Sequence, residues 1–223
     1  MRNYICSQHG QVDVLINNAG QYYHPAENAA EHFVQVQRSL DTNYFGLKNV
    51  LNAFLPILSD TSRIVNMSSH LGLLSNIPGE KLRKQFADPD LTEKELDEMM
   101  MNYLRHCSET RGDFEVLGWP RCSYTVSKVA VNAYTRILQK QVEERGYPDI
   151  VVNSLRPGSQ HSKVPQEGQV TVSASDAASS VVSTALLPHP CSSPRGQFIW
   201  HDLSVVDWAR GDLRKILEQE QSQ

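Results

Sequence analysis

The feature that most constrains this 223-residue chain is an alternation of short apolar runs with longer helical patterns. The apolar runs have the length and β-branched content of buried strands, and they span 12–17, 62–69, 149–155 and 196–200. Apolar residues recur at three- and four-residue steps, as in helices, over 26–58, 124–144 and 173–187. Because strands that alternate with helices favour a parallel sheet with helices on both faces, the sequence predicts a doubly wound α/β fold.

Polar or turn-forming residues follow three of the predicted strands at the points where they end. These residues are Asn17-Asn18, Ser68-Ser69 and Pro157-Gly158. In a parallel sheet the carboxyl ends of the strands meet at one edge, where ligands bind. We therefore expect these residues to surround one site.

Tyr124 and Lys128 are four residues apart on a predicted helix, so their side chains share one helix face. An adjacent ammonium favours the phenolate and lowers a tyrosine pKa from about 10, which would make the phenol a proton donor near neutral pH. Taken alone, the pair is better explained as two exposed neighbours. Asn43 lies within an apolar helical stretch, where an amide needs a partner, so it indicates either a structural hydrogen bond or a catalytic role.

Together these motifs resemble the short-chain dehydrogenases/reductases. The matching features are the N-N-A-G strand end at Asn17-Asn18-Ala19-Gly20, the serine at Ser69, the Y-x-x-x-K pair at Tyr124 and Lys128, the helix asparagine at Asn43, and the P-G turn at Pro157-Gly158. The resemblance covers about residues 2–208 and implies a Rossmann-like sheet. Within the family, the long insertion after Ser69 and the sequence Gly118-Trp119-Pro120 are most similar to the NADPH-dependent carbonyl reductases.

The resemblance implies the reduction of aldehydes, ketones or quinones with NADPH. Tyr124 would donate a proton to the carbonyl oxygen, Ser69 would hydrogen-bond that oxygen, and Lys128 would lower the Tyr124 pKa and bind the nicotinamide ribose. Asn43 would hold a water in the proton relay. The further implied cofactor contacts are Asn18, Gln160, His161 and Ser162, and the implied substrate wall is formed by Tyr23, His24, His70 and Trp119.

The sequence departs from the family pattern in its glycines. The two glycines nearest to each other are Gly112 and Gly118, so the chain holds no glycine-rich phosphate turn, and P-loop and nucleophile-elbow enzymes are excluded. In the family that turn and two strands precede N-N-A-G, and we expect about 60 to 80 residues of this part to be missing. The strand at 12–16 would then form an apolar sheet edge, which predicts poor solubility or association and little NADPH affinity.

We accordingly expect one incomplete Rossmann-like domain over 1–209, with an inserted helical segment at about 72–120, and a charged tail over 210–223. Thr92 and Glu95 form a capping box at the start of one inserted helix. Its expected packing stripe is Leu96, Met99, Met100, Tyr103, Leu104 and Cys107. In the carbonyl reductases such inserted helices accompany a monomeric state, which the resemblance implies for the full-length form.

Two alternatives to the carbonyl reductase hypothesis stay open. The missing glycine turn favours a catalytically silent truncated isoform that could act by binding a partner. Ser159 stands where carbonyl reductases usually have tryptophan, which leaves a steroid or pteridine carbonyl as the substrate of a related enzyme.

Composition limits the remaining function classes. A formal net charge of −4 without a basic block argues against nucleic-acid and membrane-surface partners. Without a signal-like or membrane-spanning run, we expect a cytoplasmic protein with a small-molecule carbonyl substrate. The four cysteines are widely spaced, which predicts free thiols in a reducing compartment and no metal site.

Overall fold

A computed structural model of the chain describes residues 1–23, 28–109, 115–158 and 172–211. The strands are β1 (Val12–Asn17), β2 (Leu58–Met67), β3 (Val151–Leu155), β4 (Phe198–Ile199) and β5 (Val205–Val206). The α-helices are α1 (Arg2–His9), α2 (Ala29–Leu40), α3 (Leu47–Phe54), α4 (Glu80–Ala87), α5 (Glu93–Glu109), α6 (Ser123–Glu144) and α7 (Ala174–Ala185). Among the described residues, none of the helices combines the length and apolar character needed to cross a membrane.

The strands form one sheet in the order β1-β2-β3-β4-β5. The first four are parallel, and β5 pairs antiparallel with β4. Asn17 of β1 is level with Asn66 of β2, and Met67 is level with Leu155 of β3, so the three strands end at the same edge. The predicted α/β fold with a parallel sheet is confirmed, while β5 was not foreseen because its pairing segment has only two residues.

Helices cover both faces of the sheet because its strands carry apolar side chains on both sides. On one face, Ile64 of β2 and Val152 of β3 belong to a core with buried residues of α2, α3 and α6. On the opposite face, Val65 and Leu155 pack with Ala185 of α7. This two-sided cover is the predicted doubly wound arrangement.

The predicted helix over 26–58 is observed as α2 and α3 joined by a π-helical segment, Asp41–Gly46, and followed by a 3-10 turn, Leu55–Ile57. The helix α2 begins at Ala29 because Asn28 is its N-cap, with its side chain accepting from the Glu31 amide at 2.9 Å. The π-helix carries Asn43 and is therefore part of the site.

The two helices α4 and α5 lie between β2 and α6 in sequence. The ends of this segment meet where the Gly79 amide donates to the Gly118 carbonyl at 2.9 Å. The predicted capping box begins α5: the Glu95 amide donates to Thr92 Oγ1 at 3.2 Å, and the Thr92 amide donates to Glu95 Oε2 at 2.9 Å. The predicted apolar stripe of α5 is confirmed, since its members are buried except for the partly buried Leu104.

Candidate active site

The ends of β1 and β2 are joined by an amide network that fixes the edge of the sheet. Asn17 Nδ2 donates to Asn66 Oδ1 at 2.9 Å, and Asn66 Nδ2 donates to Thr135 Oγ1 of α6 at 2.9 Å. Asn66 and Thr135 are fully buried, so these bonds satisfy polar groups that water cannot reach. The network brings the start of the Asn17–Gly20 loop and α6 to the same edge of the sheet.

The Asn43 side chain forms two hydrogen bonds with the backbone of Gln21, the residue that follows this loop. Its Oδ1 accepts from the Gln21 amide at 2.7 Å, and its Nδ2 donates to the Gln21 carbonyl at 2.9 Å and to Ser127 Oγ at 3.0 Å. Ser127 Oγ in turn donates to the Tyr124 carbonyl at 2.8 Å. The partner that the mid-helix position of Asn43 required is therefore a structural one, and it connects the π-helix, the strand-end loop and the first turn of α6.

Lys128 is buried beneath the loop, and its Nζ donates to the Met67 carbonyl at 2.7 Å. Burial lowers the pKa of this ammonium to about 8. Gly20 passes close by, because a Cβ at that position would lie 3.5 Å from Lys128 Nζ and 3.4 Å from Asn43 Oδ1. The end of the loop thus lies directly beside the buried cation.

Tyr124 lies between Lys128 and Ser69. Lys128 Nζ is 5.4 Å from the centroid of the Tyr124 ring, and the Ser69 hydroxyl is close enough to the phenol to lower its pKa. The structure therefore brings together Ser69, Tyr124 and Lys128, although Ser69 and Lys128 are 59 residues apart in the sequence. Ser69 itself is held as the N-cap of a short turn, where its Oγ accepts from the Leu71 amide at 3.2 Å.

The pKa of Tyr124 differs from the sequence-based expectation. Burial raises it to about 12, and the hydrogen bond from Ser69 acts in the opposite direction without reversing the shift. The predicted lowering of the Tyr124 pKa by Lys128 is wrong, because desolvation of the phenolate is the largest effect in this geometry. The phenol is consequently protonated at neutral pH, which is the state that a proton donor requires.

The predicted substrate-wall residues lie in different surroundings. Tyr23 is half-buried, with its hydroxyl bonded to the Gln21 side chain, and His70 follows Ser69 with its Nδ1 3.5 Å from Ser69 Oγ. Trp119 is only 2% exposed and packs on Phe86 and Tyr103, with ring centroids 6.2 and 4.9 Å away. This placement argues against the predicted substrate contact and makes Trp119 a packing residue.

Tyr22 was missed by sequence reasoning. Its ring meets Tyr124 edge to face at 5.3 Å between centroids, and about half of the side chain is exposed. Only its position two residues after Gly20, beside the predicted Tyr23, could have suggested it. Asn18 is exposed at the strand end. The remaining predicted contacts, His24, Gln160, His161 and Ser162, lie outside the described residues.

Comparison with known proteins identifies the family that shares this arrangement. A family model described as short chain dehydrogenase matches residues 1–80. Short-chain dehydrogenase/reductase 1 of Saponaria officinalis is 34% identical, and the match covers 89% of this chain and 70% of the relative. The chain belongs to the short-chain dehydrogenase/reductase family.

Other relatives of this short-chain dehydrogenase/reductase are named for carbonyl reduction. Carbonyl reductase [NADPH] 1 of Bos taurus is 31% identical over 93% of this chain and 74% of the relative, and carbonyl reductase [NADPH] 3 of Rattus norvegicus is 34% identical with the same coverage. These names confirm the predicted oxidoreductase class and the predicted similarity to the carbonyl reductases.

The solved structures that it resembles are also reductases. Salutaridine reductase from Papaver somniferum superposes with a TM-score of 0.72 at 28% identity, covering 88% of this chain and 75% of that one. Menthone neomenthol reductase from Mentha piperita gives a TM-score of 0.70 at 27% identity, with coverage of 89% and 73%. The Rossmann-like fold predicted for this short-chain dehydrogenase/reductase is thereby confirmed.

Proposed function

We propose that this protein reduces carbonyl compounds, namely aldehydes, ketones or quinones, with NADPH. The observation that carries the proposal is the position of the Tyr124 ring, 5.4 Å from the buried ammonium of Lys128 and close enough to the Ser69 hydroxyl for its pKa to be lowered by it. Relatives named carbonyl reductase [NADPH] support both the substrate class and the choice of cofactor.

The nicotinamide end of such a cofactor fits the residues present. Lys128 Nζ and Asn43 Oδ1 lie beside Gly20, within 3.5 Å of the position that a Cβ would take, and Asn18 is exposed at the same strand end. Lys128 and Tyr124 would provide hydrogen-bond donors to ribose hydroxyls, and Asn18 would add an amide. The chain holds no glycine-rich turn for the pyrophosphate, so the fit concerns the nicotinamide and its ribose.

A bound nicotinamide cofactor supplies the hydride for this chemistry. The Tyr124 phenol, protonated because burial raises its pKa to about 12, gives its proton to the carbonyl oxygen. The Ser69 hydroxyl hydrogen-bonds the same oxygen as negative charge develops on it. The Lys128 ammonium stabilises the phenolate left on Tyr124, and Asn43 holds the loop and the first turn of α6 in register.

The first test measures NADPH oxidation by the purified chain with a quinone, an aliphatic ketone, a steroid ketone and a pteridine. Tyr124→Phe should lower the rate by about 10²- to 10⁴-fold, because it removes only the transferable proton. Tyr147→Phe is the matched control, since Tyr147 lies after the end of α6 and is 45% exposed. Equal rates for the parent and Tyr124→Phe would contradict the proposal.

A second candidate function is a catalytically silent protein that binds a partner. The absence of a glycine-rich turn from all 223 residues favours it, because this turn is how a Rossmann fold holds the pyrophosphate. Titration of the chain with NADPH, followed by nucleotide fluorescence, separates the two functions. Saturable binding at micromolar NADPH supports the reductase, and no binding at millimolar NADPH supports the silent protein.

A further inference from the structure

An ionic cluster around the buried Lys48 joins α5 to α3, the helix that follows the π-helical segment with Asn43. Lys48 of α3 is 6% exposed, and its Nζ lies 2.6 Å from both carboxylate oxygens of Asp97 and 2.8 Å from Glu93 Oε1. Both carboxylates are on α5. The same ammonium lies 5.5 Å from the centroid of the Tyr44 ring and 5.4 Å from that of Tyr134 on α6. One cation therefore contacts three helices.

Tyr44 extends this cluster to the active site. Its hydroxyl donates to Asp97 Oδ1 at 2.8 Å, and the residue before it is Asn43, which clamps the Gln21 backbone. Tyr44 is fully buried within the π-helix. A continuous set of hydrogen bonds and one peptide linkage thus runs from α5 through Tyr44 and Asn43 to the residue after the strand-end loop.

This link matters because it supports a π-helical segment of the backbone. A π-helix is rare and its hydrogen bonding is less favourable than that of an α-helix, so it needs support from tertiary contacts. Within this segment Gly46 is tightly packed, since a Cβ there would lie 2.8 Å from the Asp41 carbonyl oxygen. The Tyr44 bond to Asp97 is a side-chain contact that fixes the segment from the α5 side.

We propose that Lys48 and Asp97 are positioning residues, which dock α5 and thereby hold the π-helical segment in the conformation that places Asn43 against Gln21. Neither residue contacts Ser69, Tyr124 or Lys128 in the described hydrogen bonds and ion pairs, so they act on the site through Tyr44 and Asn43. The structural part of this proposal stands without the reductase activity, whereas its effect on turnover depends on the proposed function.

The test is hydrogen–deuterium exchange of the full chain, read by mass spectrometry on separate peptides. Lys48→Met removes the cation and leaves two carboxylates facing each other, so exchange should rise about tenfold or more in 93–109, 41–46 and 17–22. Exchange in α7 should stay within about twofold of the parent, because α7 belongs to the core cluster on the other face of the sheet. A rise confined to 93–109, or one of equal size in α7, would overturn the proposal.

Two further variants make the result specific. Lys94→Met is the matched control on α5, since Lys94 forms an exposed pair with Glu98 at 3.9 Å and should leave every peptide unchanged. Tyr44→Phe removes only the bond to Asp97 and keeps Lys48 in place, which also protects the test against a Lys48 variant that fails to fold. It should raise exchange in 41–46 and 17–22 but not in 93–109, and unchanged exchange in 41–46 would contradict the link through Tyr44.

If the parent chain reduces a carbonyl substrate, its steady-state kinetics provide a second test. Tyr44→Phe should lower kcat about three- to tenfold and leave KM for the carbonyl substrate unchanged, because misplacing the proton-transfer groups acts on the chemical step. An unchanged kcat in an active parent would overturn the functional part of the proposal. Exchange data decide the structural part in either case, so the two failures are distinguishable.

Discussion

Lys128 shows at the scale of one residue how a buried cation can reduce stability. Burial lowers its pKa from 10.5 to about 8, so the folded state loses its proton at a lower pH than the unfolded state does. Below about pH 8 both states bind the proton, and the folded state carries the full burial penalty, on the order of 3 kcal/mol. As the pH rises from about 8 to 10.5, the unfolded state holds more protons, and stability increases.

Lys128→Met should therefore stabilise the protein at neutral pH. We expect the free energy of unfolding to rise by about 2 to 3 kcal/mol at pH 7, with the gain shrinking above pH 8 and nearly vanishing at pH 10.5. Urea unfolding of both proteins at several pH values measures the difference. Lys140→Met is the control, because Lys140 is exposed in its pair with Asp90. A gain that does not change with pH would show that burial of the cation is not its cause.

Some features of the candidate site could be predicted from local sequence, whereas others depend on tertiary packing. The spacing of Tyr124 and Lys128 and the strand-end position of Ser69 could be predicted, because a helix turn and a parallel sheet fix where such residues lie. Trp119 could not be placed correctly, since nothing in Gly118-Trp119-Pro120 reveals that Phe86 and Tyr103 enclose the ring. The pKa of Tyr124 also depends on the depth of burial, which a sequence does not display.

At the scale of elements, the segment that holds α4 and α5 is closed by two glycines. A Cβ on Gly118 would lie 2.7 Å from the Gly79 Cα, and Gly118 also has a φ of +79°. Gly118→Ala should therefore lower stability by about 2 to 4 kcal/mol, because steric overlap with backbone adds to the strain of a positive φ. Thermal or urea unfolding measures the loss.

Gly146→Ala separates these two effects. Gly146 has a φ of +87° but no atom within 4 Å of an added Cβ, so this variant reports backbone strain alone, about 1 kcal/mol. The loss for Gly118→Ala should exceed it clearly. Equal losses would mean that the close approach of Gly79 and Gly118 does not hold the segment.

The elements themselves were predicted well where their periodicity was strong. The capping box at Thr92 and the apolar face of α5 are local signals, and both are confirmed. The π-helical segment Asp41–Gly46 was not predicted, because Leu40, Tyr44 and Leu47 continue the four- and three-residue steps of an α-helix through it. Its cause is tertiary: the segment is held by Asn43 on one side and Tyr44 on the other.

At the scale of the whole molecule, the sheet has an apolar edge at β1. The strand pairs with β2, and among the described residues no strand lies on its other side. This arrangement confirms the expected sheet edge. Fold class could be predicted because it depends on the order of strands and helices, whereas the strand order and the partial exposure of β1 depend on which strands are available to pair.

This edge predicts self-association of the purified chain. Ile16 is 40% exposed near the end of the edge strand, and edge strands pair with other chains unless charges or prolines block them. In β1 the only charged residue is Asp13, at the opposite end from Ile16. Ile16→Lys should therefore shift the weight-average mass toward the monomer in light scattering across a concentration series. Val50→Lys is the matched control, since Val50 is 39% exposed but lies on α3, where no strand edge is available. If both variants reduce association equally, general surface hydrophobicity rather than the β1 edge is the cause.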